Sequence, residues 1–390
     1  MKTLIELYDA ERPIENVLAT EMFRPEEMIM LCPPDVAADE TFQKCLRRYF
    51  AARGCKVHLS FQPVSLLDAY AIVCRLREIL RTHEDCAIDI SGGTDATLFA
   101  AGAAAQDTPV FTYSRRRNTF FEIQNAPFAR SLPCTVRLDA ASCFLMAGGE
   151  LLPGREDNAP LRDRLKDISR IFEIYSRYRT VWSKQVKAIQ RISRASDPEL
   201  LAEGPFSVKV DAGHASLDPG LLRDLEGAGL IRGLKLSDSG VRFRFADSAV
   251  RFWLRDVGAV LELFVWSSCL AAGCFDDVVL SAVVNWRAGG GRSEMVTNEI
   301  DVMAVCGISP LLISCKTCEI HTEALNELAI LRDRFGGGYS KAAVVTSAGT
   351  THGNSAMRKR AAALGITVLD WRDLASPDFA GRLRALAMGN

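Results

Sequence analysis

The segment from Asn298 to Thr317, NEIDVMAVCGISPLLISCKT, places charged residues inside two otherwise apolar runs. Side chains alternate between the faces of a strand, so Glu299 and Asp301 share one face of the first run, and Ser314 and Lys316 share a face of the second. Adjacent strands would then direct an acid and a lysine to one place. Carboxylates that hold Mg²⁺ or Mn²⁺ beside a lysine that positions or deprotonates water suit phosphodiester cleavage. The alternative is a solvent-facing hairpin with an ordinary cross-strand ion pair.

A third acid, Glu262, precedes these strands in the mostly apolar stretch from Val257 to Phe275. A buried carboxylate is costly unless it is paired or binds a metal, which gives Glu262 and Asp301 a reason to share an ion. The stretch is nearly long enough to cross a bilayer, but Glu262 and the lack of flanking Lys and Arg clusters favour a core helix. We therefore expect no membrane partner.

The strands and helices that would position these side chains are predicted to follow the order of an α/β chain with three segments. Strand-like and helical runs alternate over the first 125 or so residues, which predicts βαβ units and a mostly parallel sheet. Residues 163–192 indicate one long basic helix, and 221–247 indicate a helix, a glycine turn and a two-strand wing. A mixed α/β pattern follows. We predict domains at 1–150, 151–252 and 253–390, the middle one a connector or dimer surface and, as an alternative, a DNA-reading winged helix.

The stretch AIDISGGTDATLFAAG, from Ala87 to Gly102, predicts a strand, a glycine turn and a helix. Free N–H groups at a helix start, reached through glycines at the carboxyl end of a parallel strand, form a site for anions. Arg115, Arg116 and Arg117 follow another strand end, and Tyr113 is available to stack on a base. The alternatives are that the turn only caps its helix and that the arginines form a solvated hairpin rim.

The motifs GAVLEL, NEIDVMAV and LLISCKT resemble the E…D…(D/E)xK core of restriction-endonuclease-like nucleases. The segment KRAAALGITVLDWRDL is similar to the end of that domain in CRISPR ancillary nucleases. Those proteins carry an N-terminal CARF domain, a Rossmann-like sensor of cyclic oligoadenylate, joined to the nuclease by a helical or winged linker. The resemblance implies that Glu262 and Asp301 bind the metal and that Lys316 is the catalytic lysine.

The SGGT turn resembles the GGT signature of the same sensors, which implies that Ser91, Gly92, Gly93 and Thr94 contact the cyclic nucleotide. This chain has Asp95 where many relatives have lysine, so the neutralising charge must come from elsewhere. We expect Arg115 and Arg116 to supply it, with Tyr113 against adenine.

A second departure from the family pattern lies at Ser314, where many relatives carry a carboxylate two residues before the lysine. Glu299 or the backbone carbonyl of Cys315 can compensate, and Ser314 itself is a candidate ligand or neighbour of the metal. Cys315 and Cys318 have C-x-x-C spacing, but no second pair or histidine spacing completes a zinc site.

The whole chain has 390 residues, a net charge of −1 and a pI near 6.6, so any nucleic-acid-binding surface must be local. Twelve cysteines show no pairing pattern and the N-terminal segment shows no signal core, which predicts reduced thiols in the cytoplasm.

Together with these features, the resemblance implies a homodimeric endonuclease of type III CRISPR defence that cleaves DNA or RNA with Mn²⁺ or Mg²⁺. We expect cyclic tetra-adenylate as the activator, because a two-fold ligand suits an isologous interface. Arg287, Arg292 and the basic run 358–360 are candidate backbone contacts to nucleic acid. The alternative is a nucleotide-sensing, DNA-binding regulator whose nuclease domain is degenerate because Ser314 has weakened the metal site.

Overall fold

The structure is a computed structural model that describes residues 1–152, 158–210, 213–238, 240–289, 295–348 and 354–389. Arg292, one of the predicted contacts to nucleic acid, lies outside these ranges. No helix within them is long and apolar enough to cross a membrane.

The first sheet has seven strands in the order β3-β2-β1-β4-β5-β6-β7, and its pairings are parallel except for β5–β6 and β6–β7, which are antiparallel. The strands are β1 Thr3–Leu7, β2 Glu27–Cys32, β3 His58–Pro63, β4 Cys86–Asp89, β5 Val110–Ser114, β6 Thr119–Gln124 and β7 Leu132–Pro133. The helices are α1 Leu18–Phe23, α2 Pro34–Ala38, α3 Glu40–Ala52, α4 Ala69–Thr82 and α5 Asp95–Ala104.

This sheet forms where apolar runs alternate with capped amphipathic helices, as predicted. Strand β1 is buried along its whole length, as expected for a parallel strand covered on both faces. Asp39, Asp68 and Thr94 accept hydrogen bonds from the first-turn N–H groups of α3, α4 and α5. Because β1 lies between β2 and β4, the loops after β1 and β4 meet at the sheet edge where such folds bind ligands.

The middle segment contains helices and two small antiparallel sheets. Its elements are α6 Ala140–Met146, β8 Glu150–Leu151, α7 Ala159–Arg162, α8 Leu165–Tyr178, α9 Trp182–Ile192, β9 Leu201–Gly204, β10 Ser207–Val210, β11 Gly213–Ser216, α10 Pro219–Gly227, β12 Ile231–Ser237 and β13 Gly240–Phe245. The predicted helix, turn and wing correspond to α10, β12 and β13. The single long helix predicted at 163–192 is wrong: it breaks at 179–181, where β-branched Thr180 and Val181 weaken helical preference.

The second sheet has six strands in the order β18-β17-β16-β15-β14-β8. Its elements are α11 Ser248–Trp253, α12 Ala259–Ala272, β14 Asp277–Asn285, β15 Thr297–Cys306, β16 Ser309–Lys316, α13 Thr322–Phe335, β17 Lys341–Thr346, α14 Asn354–Ala363, β18 Ile366–Leu369, α15 Trp371–Leu374 and α16 Phe379–Met388. Helix α12 packs on β14, β15 and β16, so the apolar stretch is a core helix. The predicted α/β fold class is confirmed.

The two sheets are joined by shared packing. One hydrophobic cluster contains Phe111 and Phe120 of the first sheet together with Phe144, Phe335 and Tyr339 beside the second. The short strand β8 pairs with the end of β14 and forms an edge of the second sheet. The N-terminal and C-terminal halves therefore meet through a common core.

Candidate functional site

The Asp301 side chain connects strands β15 and β16 at the point where their backbone pairing ends. Strands β15 and β16 pair as far as Val302 and Ile313. Just beyond, Asp301 Oδ2 accepts the Cys315 N–H at 2.6 Å and the Ser314 hydroxyl at 3.2 Å. The predicted neighbours on the two strands are thus brought together, and backbone as well as side-chain donors fix the orientation of the Asp301 carboxylate.

Lys316 lies at the same place. Its Nζ is 3.7 Å from Asp301 Oδ2, and the two side chains are 35% and 19% exposed, respectively. Burial raises the pKa of Asp301, whereas Lys316, the Cys315 N–H and the Ser314 hydroxyl each lower it. Solvent therefore reaches the lysine while the acid is mostly enclosed.

Glu262 lies in the first turn of α12, near enough to Asp301 for the two carboxylates to repel one another. Burial, followed by repulsion from Asp301, Asp256 and Glu299, raises the pKa of Glu262 to about 8, and Lys316 offsets only part of the effect. Carboxylates that repel one another in a partly buried site are the electrostatic arrangement that a divalent cation relieves.

The donor set fits Mg²⁺ or Mn²⁺ better than zinc because it consists of hard oxygens. Glu262 and Asp301 provide carboxylates, and the Cys315 carbonyl remains a predicted third ligand. The Cys315 thiol lies in the apolar core on the other face of β16, and burial raises its pKa well above the ordinary value. Across the described ranges, no three His, Cys, Asp or Glu side chains are already close enough to hold an ion.

Two cavities adjoin these residues. One, of about 50 Å³, is lined by Glu299, Asp301, Ser314 and Lys316 together with residues of α13. The other, of about 280 Å³ and mostly apolar, is lined by Glu262 with side chains of α11, α12 and β14.

The SGGT turn is built as a tight loop between β4 and α5. Gly93 has φ +97°, and a Cβ there would lie 2.5 Å from Thr97 Oγ1, so this position requires glycine. Ser91 is buried, and its hydroxyl accepts the Tyr113 N–H at 2.8 Å. Thr94 and Asp95 are exposed at the start of α5. Ser91 thus shapes the loop from within, while Thr94 faces solvent.

Arg12, which the sequence patterns did not single out, is the cation beside this loop. Its Nη1 and Nη2 atoms donate to the carbonyls of Ser91 and Gly93, each at 3.5 Å. The guanidinium also pairs with Asp9 at 2.6 Å and with Glu15 at 2.9 Å. Its position in the chain could have indicated this contact. Arg12 follows β1, which is the neighbour of β4 in a parallel sheet, so the loops after the two strands lie at the same edge.

Tyr113 and Arg115, two predicted ligand contacts, touch the C-terminal half of the chain. Tyr113 is 7% exposed and stacks on Tyr339 with ring centroids 6.5 Å apart. The Arg115 guanidinium lies 4.7 Å from the centroid of the Tyr339 ring. Arg116 is exposed. A role for these side chains in nucleotide binding stays a prediction.

Tyr339 belongs to a short helical turn, Gly337–Tyr339, that presses against the loop after β1. Its hydroxyl donates to the buried Glu15 carboxylate, whose pKa burial raises to about 7. Gly337 has φ +50°, and a Cβ there would lie 1.9 Å from Glu11 O, so only glycine permits this approach.

The remaining predicted contacts are dispersed. Arg287 lies 3.6 Å from Asp39, and Arg358 lies 2.5 Å from Asp370. Cys318 is exposed whereas Cys315 is buried. No zinc-type cluster occurs in the part of the chain that the structure describes.

Comparison with known proteins agrees with this architecture. Residues 246–384 match the family model for the Card1-like endonuclease domain. This match confirms the predicted endonuclease domain in the C-terminal part of the chain. Among curated proteins, none matches the chain by sequence.

Two solved structures share the fold along nearly the whole chain. Protein VC1899 from Vibrio cholerae is 18% identical, with a TM-score of 0.76 and coverage of 100% of this chain and 98% of that one. Can2 from Sulfobacillus thermosulfidooxidans, solved in complex with cyclic tetra-adenylate, is 16% identical, with a TM-score of 0.71 and coverage of 99% of each chain. The chain therefore has the fold of these proteins, with a Rossmann-like domain ahead of its Card1-like endonuclease domain.

Proposed function

We propose that the protein is a metal-dependent endonuclease that a cyclic oligoadenylate activates in type III CRISPR defence. The observation that carries the proposal is the convergence of Asp301 and Lys316, whose Oδ2 and Nζ atoms are 3.7 Å apart, within a Card1-like endonuclease domain. Glu262 adds a second carboxylate whose charge is coupled to that of Asp301.

In this proposal each side chain has a distinct task. Glu262, Asp301 and the Cys315 carbonyl would hold Mg²⁺ or Mn²⁺, and the ion supplies charge stabilisation at the scissile phosphate. The Cys315 N–H and the Ser314 hydroxyl hold Asp301 in place. Lys316, partly open to solvent, orients or deprotonates the attacking water. Ser314 is thus a positioning residue in the place of the family's second acid.

The activator would bind at the loops after β1 and β4. Thr94, the Gly93 backbone and Arg12 border that sheet edge, and Can2, which shares the fold, was solved with cyclic tetra-adenylate. Asp9 and Glu15 already hold Arg12, so the site's positive charge is modest. Arg115 and Arg116 remain the proposed additional cations.

A homodimer is proposed from an exposed apolar patch beside this loop. We call it the α4–α5 patch; it consists of Leu67, Tyr70 and Phe99, which are 92%, 78% and 73% exposed. The patch adjoins the loop because Thr94 Oγ1 donates to Leu66 O at 3.3 Å. Large exposed apolar side chains in one area mark an interaction surface, and a two-fold contact here would place two SGGT loops around one symmetric ring.

Cleavage assays test the function directly. Supercoiled plasmid and single-stranded RNA are incubated with Mn²⁺, with and without cyclic tetra-adenylate, and with Asp301→Ala and Lys316→Ala as matched variants. We expect activator-dependent cleavage that both substitutions reduce by at least about 100-fold. Wild-type protein that stays inert on both polymers with every ring size would contradict the proposal.

The DNA-binding regulator remains a second candidate because of the wing. On the exposed face of β12 and β13, Arg232 lies opposite Arg244 and Lys235 opposite Arg242. Arg244 and Arg242 already pair with Glu199 and Glu203, at 2.9 Å and 3.6 Å, so Arg232 and Lys235 are the cations of this face that an anionic partner would meet. An inert protein whose DNA affinity falls in Arg232→Ala and Lys235→Ala would favour the regulator.

A further inference from the structure

We infer that Glu327, on helix α13, supplies the carboxylate that strand β16 lacks at Ser314. The inference rests on the proposed nuclease function and extends it by naming a further metal-binding residue. It accounts for the departure from the (D/E)xK pattern without requiring a degenerate site.

Glu327 lies beside the candidate metal site. It lines the same cavity of about 50 Å³ as Asp301, Ser314 and Lys316. Helix α13 packs against β16 and β17, so a side chain on that face of the helix extends over the end of β16. Ser314 cannot replace a charge, because its neutral hydroxyl donates to Asp301 at 3.2 Å.

A hydrogen-bond relay orients Glu327. Glu327 Oε1 accepts the Asn298 Nδ2–H at 2.6 Å, and Asn298 Oδ1 accepts the Trp286 Nε1–H at 2.7 Å. Because an indole N–H can only donate, Trp286 sets which end of the Asn298 amide faces Glu327. The relay holds the carboxylate beside the cavity and leaves its second oxygen, Oε2, outside this bond.

Glu299 is the competing source of the missing charge. It lines the same cavity and raises the pKa of both Glu262 and Asp301. However, it lies two positions from Asp301 on one strand, which separates their Cα atoms by roughly 6.6 Å. Glu327 comes from a different element, helix α13, and bonds to Asn298 of β15, so it can approach an ion from the helix side of the cavity rather than along the strand of Asp301.

We expect the Glu327 side chain to move into the cavity when the ion binds. No three acids within the described ranges are preassembled at the spacing of a metal site. Glu327 is exposed, so the Asn298 hydrogen bond rather than packing holds its side chain, and a rotation about its torsions can bring Oε2 to the cation. Three carboxylates facing one Mn²⁺ would then surround the ion from α12, β15 and α13.

The first test measures Mn²⁺ binding by calorimetry on the full chain without nucleic acid. We expect Glu327→Gln to weaken the affinity by at least about 10-fold, whereas Glu323→Gln, an exposed glutamate one turn earlier on α13, leaves it unchanged. Equal affinity in wild type and Glu327→Gln overturns the inference, as does a loss confined to Glu299→Gln.

The second test transfers the carboxylate from α13 to β16. In Ser314→Asp combined with Glu327→Gln, the acid returns to β16, and we expect Mn²⁺ affinity and plasmid cleavage to recover from the level of Glu327→Gln. A purely structural role for Glu327 would not be rescued in this way, so a folded double variant that fails to recover overturns the inference.

Asp301→Asn separates this inference from the proposed function. If Asp301→Asn loses Mn²⁺ and Glu327→Gln does not, the metal site stands and only the role of Glu327 is wrong. If neither substitution changes Mn²⁺ binding, the proposed nuclease site itself fails.

Discussion

The hydroxyl of Tyr339 donates a hydrogen bond to the carboxylate of Glu15, and both side chains are buried between the two halves of the protein. Glu15 pairs with Arg12, whose guanidinium reaches the SGGT loop. From Tyr339 the chain enters β17, which ends at Thr346 opposite Lys316 of β16. A short series of contacts therefore runs from the proposed nucleotide loop to the proposed catalytic lysine.

This contact predicts how activation is transmitted. Tyr339→Phe removes the hydroxyl and leaves the Glu15 carboxylate without that donor, so we expect the ratio of activated to basal cleavage to fall several-fold. Unfolding should become easier by about 1–3 kcal/mol. Initial cleavage rates with and without cyclic tetra-adenylate provide the measurement.

A matched control is available for that experiment. Tyr178 also donates to a carboxylate, that of Asp224 at 3.0 Å, but away from both sites. Tyr178→Phe should leave the activation ratio intact. An activation ratio that falls equally in both variants would show that the Tyr339 contact has no special part in signalling.

The raised pKa of Glu262 predicts how metal binding depends on pH. With a pKa of about 8, the ion-free carboxyl is mostly protonated at pH 7, so Mn²⁺ must displace a proton. Apparent affinity should rise from pH 6 to about 8 and then level off. Calorimetry at pH 7 in buffers of different ionisation enthalpy should detect proton release, which Glu262→Gln abolishes.

The same shift has a consequence for the stability of the ion-free protein. Between the ordinary carboxyl pKa and about 8, the folded state holds the Glu262 proton more tightly than the unfolded state does. The contribution of Glu262 to the free energy of unfolding therefore falls as pH rises through this window. Urea unfolding at pH 5, 6.5 and 8.5 should show a shallower pH dependence in Glu262→Gln, and identical slopes would contradict the assignment.

The SGGT loop predicts a sharp contrast between two glycines of the same segment. Gly93→Ala requires a left-handed backbone and places a methyl group 2.5 Å from Thr97 Oγ1, so the loop must distort. We expect a loss of about 1–2 kcal/mol in stability and weaker binding of cyclic tetra-adenylate. Gly102→Ala, in open space on α5, should bind normally and be as stable as wild type or more so. Equal binding by the two variants would argue against this loop as the nucleotide site.

The α4–α5 patch predicts the oligomeric state. Phe99→Glu introduces a charge into the proposed interface, so we expect light scattering to report a monomer in place of a dimer and binding of the symmetric ring to be lost. Met388→Glu, at a position 60% exposed near the end of α16, should remain dimeric. A dimer that persists in Phe99→Glu places the interface elsewhere.

The sequence predicted those parts of the site that depend on local patterns. Alternation along two strands was enough to place Asp301 beside Lys316, and the glycine turn identified the loop between β4 and α5. These features depend on residues close together in the chain, where strand and helix periodicity are informative.

Contacts between distant segments were not predicted. Glu15 and Tyr339 lie 324 positions apart, and each has an ordinary local environment in the sequence. Tyr113 and Arg115 were expected to face a nucleotide, yet in the structure they lie against Tyr339, because the nuclease half packs over that rim of the sheet. The break between α8 and α9 was missed because amphipathic periodicity continues across it.

Strand β8 comprises only Glu150 and Leu151, yet it closes one side of the second sheet by pairing with Asn285 and Val284. A chimera that took its N-terminal domain from another protein and was joined at residue 150 would interrupt the pairing of β8 with β14. Strand β14 would then be an unpaired edge strand. Such an edge can recruit strands from other molecules. Any modular swap, natural or designed, would therefore have to carry residues 150 and 151 along with the nuclease half.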